Sequence, residues 1–96
     1  MNAYLIDRIE FCLRRIRNFA KAGFDPARRV EKQLIWCWNS ASGHAVEPLS
    51  APLSMCWLLE NEFTNRYGEY PELMESLREI ESHIHFTPAM EFAMAA

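Results

Sequence analysis

Apolar residues recur along most of this chain at spacings of three and four, the pattern of helices that bury one face. From about Ala3 to Ala22, the residues Leu5, Ile6, Ile9, Cys12, Leu13, Ile16 and Ala20 form one stripe, and Gly23 stands where a helix end favours glycine. A second helix opens with Asp25 as its N-cap and Pro26 in the first helical position. Ala27, Val30, Leu34, Cys37, Trp38 and Ala41 make its inner face. Residues 42–48, SGHAVEP, read as a polar linker closed by Pro48. A third helix starts at Ser50 or Pro52 and runs to Gly68, with Leu49, Leu53, Cys56, Leu59, Phe63 and Tyr67 on one face. A fourth runs from Pro71 to Ile84, striped by Tyr70, Leu73, Met74, Leu77, Ile80 and Ile84, with every other position polar and solvated. Thr87 and Pro88 then set up a short C-terminal helix with Met90, Phe92 and Met94 to bury. No stretch sustains period-two alternation, so no strand is expected. The fold class is all-α: a compact bundle of four main helices plus a short C-terminal helix, in a single domain over residues 1–96.

Four residues break the pattern. At constant helical register Glu60 falls within the apolar face of the third helix, and Leu58 falls opposite, on its polar face. A carboxylate in a core must be paired, hydrogen-bonded or neutral. The expected partner of Glu60 is an arginine from the first or second helix. Phe11 and Trp36 repeat the misplacement of Leu58, each a large apolar residue on the polar side of its helix, and Tyr4 lies on the same side as Phe11. Such residues on three successive helices point to a second buried surface, formed with another copy or with a partner protein. A packing wide enough to bury them internally is the competing account.

Composition sharpens this in three ways. Half of the 96 residues are hydrophobic, enough to build a core, so the chain is not expected to be disordered. No apolar run approaches the roughly 18 residues that span a bilayer. The start, MNAYLIDRIEF, does not read as a signal peptide, and the three cysteines are odd in number. Free thiols in a reducing, cytoplasmic setting are therefore expected. The net charge of −3 hides a split: residues 1–38 carry +4 and residues 39–96 carry −7. Either the halves neutralise each other, or the basic half meets a polyanion through Arg8, Arg14, Arg15, Arg29 and Lys32, interleaved with Phe11 and Trp36.

Motifs for chemistry are missing. Cys12, Cys37, Cys56, His44, His83 and His85 show no metal-binding spacing, so neither metal nor cofactor is expected, and the cysteines read as small buried hydrophobes. There is no serine-nucleophile motif, and three isolated glycines cannot form a phosphate loop. No catalytic residues are assigned.

The stretch Leu59 to Gly68, LENEFTNRYG, resembles a short ExxxRYG-type segment of helical proteins from phages and their hosts. It spans about a tenth of the chain and implies no activity. The expectation is a non-enzymatic, self-associating protein-interaction module, working through Tyr4, Phe11, Trp36 and Leu58. One specific form is a phage or mobile-element inhibitor of a host complex. The alternative is a nucleic-acid or nucleotide-binding module using the basic half.

Overall fold

The structure, a computed structural model, describes residues 2–84. Those residues are 75% helical and contain no strand. The expected C-terminal helix around Met90, Phe92 and Met94, with His85, lies outside the described residues.

Four helices form around one core. The first, α1, is Ala3–Lys21, and α2 is Asp25–Ala41. Residues 55–67 form α3, a continuous helix built of an α-helical turn Met55–Leu58, a π-helical turn Leu59–Phe63 and a final α-helical turn Thr64–Tyr67. The last, α4, is Pro71–His83. Adjacent pairs touch in the order α1 with α2, α2 with α3, α3 with α4, and α4 back to α1.

The local chemistry explains the boundaries. The Asn2 side chain accepts the Leu5 N–H at 3.1 Å and caps α1. Gly23, at φ +90°, ends it in the left-handed conformation, and a three-residue connection turns the chain back into α2. Asp25 was expected to be the N-cap of α2. Instead it lies inside the helix and pairs with Arg29 one turn on, at 3.4 Å. The cap position belongs to Phe24, whose carbonyl accepts the N–H groups of Ala27 and Arg28. Phe24 is fixed there by its ring, which packs edge-on against Phe63 and Tyr67 at 5.0 and 5.1 Å between centroids. Phe19 joins this cluster through Phe63, Tyr67 and Tyr70, so aromatic contacts tie α1, the first turn, α3 and the start of α4 together.

The stripes of α1, α2 and α4 pack as their spacing requires. Ile9, Cys12, Ile16, Val30, Leu34, Cys37, Leu77 and Ile80 are fully buried. Ser76 adds a buried polar side chain that the solvated outer face assigned to α4 did not anticipate; it lies beside Cys12.

The third helix departs from expectation. It begins at Met55 rather than Ser50 or Pro52, and Leu49 and Leu53 belong to the preceding loop. Two anchors hold that loop in place. The Gln33 side-chain amide donates to Ser54 Oγ at 2.9 Å and accepts the Ser54 N–H at 2.8 Å, and Trp36 Nε1–H donates to the Glu47 carbonyl at 2.8 Å. The Ser54 hydroxyl is thereby committed to Gln33, and the orphan N–H of Cys56 is taken by the Glu81 carboxylate of α4 at 3.2 Å.

Within α3 the Leu59 carbonyl is bonded by the backbone N–H of Thr64, five residues on, and by the Thr64 hydroxyl at 3.2 Å. That wide turn takes in one more residue than an α-helical turn and shifts the phase of the helix. Leu58, Leu59 and Phe63 all become buried, while Glu60, Asn61 and Glu62 share the outside. Gly68 then ends the helix at φ 90°, ψ −165°, a region open essentially to glycine alone.

Candidate functional site

The sequence-derived contact surface does not survive as one patch. Leu58 is 2% exposed and belongs to the core, because the later helix start and the wide turn change its phase. Trp36 is half-buried on the loop side of α2, anchoring Glu47. Tyr4 and Phe11 line a groove between α1 and α4 with Arg8, Glu72, Glu75 and Glu79. The guanidinium carbons of Arg8, in the groove, and of Arg15, beside it, lie 5.1 and 3.7 Å from the Phe11 ring centre. The Tyr4 hydroxyl donates to Glu79 at 2.5 Å, a bond that holds its ionisation above the usual tyrosine range. Arg8 pairs with Asp7 at 3.0 Å, and its buried Nε has no hydrogen-bond partner among the described residues.

Glu60 is likewise relocated. Its side chain is 62% exposed, and its ion-pair partner at 3.5 Å is Arg78 of α4, not a residue of the basic half. The π turn carries it out of the apolar face.

What the structure does bring together is an open seam between α1 and α2. Leu13 and Trp38 form the apolar floor of a groove of ≈ 570 Å³, and Glu10, Arg14, Arg17 and Asn39 form its rim. Ile35 lines it too, 42% exposed. The cause lies in the run Leu34–Trp38, five consecutive apolar residues on a helix that can turn only part of its circumference to the core. Leu34 and Cys37 take the core positions, and Trp36 is held by the loop. Trp38 stacks on His44 at 5.7 Å on the near side of the seam. Among the described residues nothing covers Ile35 in this way. Sequence reasoning missed it, since in an all-apolar run only packing reveals which member is left out. Trp57, 57% exposed, escaped notice for the same reason, beside Leu58.

Further along the seam a second groove is lined by Ala20, Lys21, Asp25, Arg28, Arg29, Glu31 and Lys32. Together the two grooves present six cationic side chains and three carboxylates. The Arg17–Glu31 ion pair at 3.3 Å joins them across α1 and α2. The five cations considered for a polyanion therefore do not form one track. Arg8 and Arg15 lie about Phe11, Arg14 edges the seam groove, and Arg29 and Lys32 lie in the second groove, with Arg29 bonded to Asp25.

The thiols have little nucleophilic character. Burial pushes Cys12, Cys37 and Cys56 each up to about 12, with the Glu81 charge adding to it at Cys37 and Cys56. All three are free. Among the described residues, no three His, Cys, Asp or Glu side chains converge as metal ligands, and no helix is long and apolar enough to cross a membrane.

Comparison with protein-family models, curated proteins and solved structures found no match to this chain.

Proposed function

We propose that this chain is a protein-interaction module built on a small helical bundle, and that its contact face is the α1–α2 seam. The observation that carries the reading is Ile35. It is a large aliphatic side chain 42% exposed beside Trp38, over an apolar floor, on a helix whose adjacent Leu34 and Cys37 are completely buried. An apolar centre with a charged rim is the anatomy of a protein contact. Arginine and tryptophan, both at this seam, are the residues that most often carry binding energy. A polyanion site is less well supported, because carboxylates interrupt the cations and bond two of them directly. The protonated thiols favour binding over covalent catalysis. Free thiols also fit a reducing compartment.

The test compares immobilised wild type with Ile35→Asp as baits in a lysate of the source cell, by quantitative mass spectrometry. Hydrogen exchange is then measured on each purified complex. The reading requires a partner retained by wild type, lost by Ile35→Asp, and protecting amides in residues 10–17 and 31–39. A partner held equally by both baits, or protection confined elsewhere, overturns it.

A further inference from the structure

We infer that the seam between α1 and α2 receives the acidic α1–α4 face of a second copy of this chain, so that copies associate head to tail. This rests on the reading of the seam as a protein-contact site and names its occupant. The inference comes from two faces that match each other and not themselves.

The receiving face is lined by the apolar side chains of Leu13, Ile35 and Trp38, with Arg14 and Arg17 beside them. Its electrostatic character is basic, six cations against three carboxylates over the two grooves. The donating face is the groove between α1 and α4, where Glu72, Glu75 and Glu79 outnumber the single cation Arg8. An apolar anchor stands in it. Tyr4 is 56% exposed, and its ring is fixed by the hydrogen bond from its hydroxyl to Glu79 and by Arg8 at 6.0 Å. A ring already held in one orientation loses little further freedom on binding.

The two faces flank α1 on different sides. One lies toward α2 and the other toward α4, so a molecule cannot satisfy its own seam with its own glutamates. A two-fold contact centred on either face would oppose arginines or oppose glutamates, and a reciprocal two-fold pairing of seam with acid groove would stop wild type at a dimer. Pairing seam with acid groove matches the charges and brings Tyr4 to the apolar floor. Such a contact is heterologous, leaving a free seam at one end of every pair and a free acidic face at the other. Charge complementarity across it should make association fast and salt-sensitive.

Sedimentation velocity tests this with three proteins, at concentrations from about 5 to about 500 μM and at low and high salt. The seam variant is Arg14→Glu/Arg17→Glu, and the acid variant is Glu72→Lys/Glu75→Lys; all four positions are exposed. Circular dichroism confirms that each folds. Wild type should grow beyond a dimer as concentration rises and dissociate at least tenfold more readily at high salt. Each variant alone should lose association by at least tenfold. An equimolar mixture of the two should regain it, since the intact seam of one meets the intact acidic face of the other and the two reversed faces match each other in charge as well. If either variant fails to fold, the neutral pairs Arg14→Ala/Arg17→Ala and Glu72→Gln/Glu75→Gln take its place, with smaller losses and a mixture that stops at one dimer, because only one charge-matched contact remains.

Wild type that stays monomeric over the whole range overturns the inference. It leaves the seam as a contact site for another protein, which the Ile35→Asp comparison decides separately. Association that survives in the seam variant, or a mixture that does not recover while wild type associates, overturns it as well. Retention of wild type on a single-stranded oligonucleotide with no self-association also counts against it.

Discussion

The Glu81 carboxylate accepts the backbone N–H of Cys56 at 3.2 Å, so a side chain of α4 closes the N-terminus of α3. The usual local cap, Ser54, is turned away toward Gln33. A charged acceptor on an orphan helix N–H, aligned with the helix dipole, contributes about 1–2 kcal/mol. Glu81→Ala should lower stability in urea denaturation by about that much, and Glu81→Gln by less than half of it. Glu81→Ala as stable as wild type would overturn the capping role, and equal losses in the two variants would mean that the carboxylate charge, not the packing or the oxygen that Gln keeps, holds the helix end.

Leu58 and Trp57 provide a direct check on the phase of α3. Leu58 is 2% exposed and Trp57 57%. Leu58→Ala should cost about 2–5 kcal/mol, as truncations in a packed core do. Trp57→Ala should stay within about 0.5 kcal/mol of wild type. Equal costs in the two variants would mean that Leu58 does not belong to the core.

Trp36 now has a structural task, since its indole N–H holds the Glu47 carbonyl at 2.8 Å. Trp36→Phe keeps the ring and removes the donor. The expected result is a loss of about 0.5–1.5 kcal/mol and faster proteolytic cleavage within residues 43–50. An unchanged cleavage rate would show that the loop is held by Gln33 and Ser54 alone.

The cysteines predict a pH dependence. In the folded chain each thiol is pushed from 9.0 up to about 12, chiefly by burial. The unfolded chain releases these protons first, so the folded state binds more of them between about pH 9 and about pH 12. Their contribution to stability is complete below pH 9 and is lost as pH rises through that window. The melting temperature should fall from pH 8 to pH 11, and should fall less steeply in Cys37→Ala, which controls for the other groups that titrate there. Thiol reagents at pH 8 should react first with Cys56, which is half-buried, and reach Cys12 and Cys37 only on unfolding.

Much of the fold was legible because most of the stripes run at one unbroken period. The α1 residues Leu5, Ile9, Cys12, Leu13, Ile16 and Ala20 are buried, as are Leu73, Leu77 and Ile80 in α4. The third helix was misread at one physical point. Counting with a constant period cannot register a carbonyl bonded five residues on instead of four, so Leu58 and Glu60 exchanged environments. The seam was hidden differently. Between Leu34 and Trp38 every residue is apolar, and periodicity carries no information where there is no contrast. Which residue faces water is settled by what packs alongside. The loop covers Trp36, while Ile35 is left open beside the α1–α2 groove.

The wide turn at Leu59–Phe63 also determines how the chain absorbs a change in length. Elsewhere in a helix, adding or removing one residue rotates everything beyond it by about 100°. Here a surplus residue is already stored in a loop of backbone whose outer members, Glu60, Asn61 and Glu62, face solvent. The turn works as an expansion joint: deleting one of those three leaves the helical segments on either side in the orientations they already hold. A one-residue deletion that would scramble α1 or α2 is thus absorbed in α3 on the solvent side of a single turn.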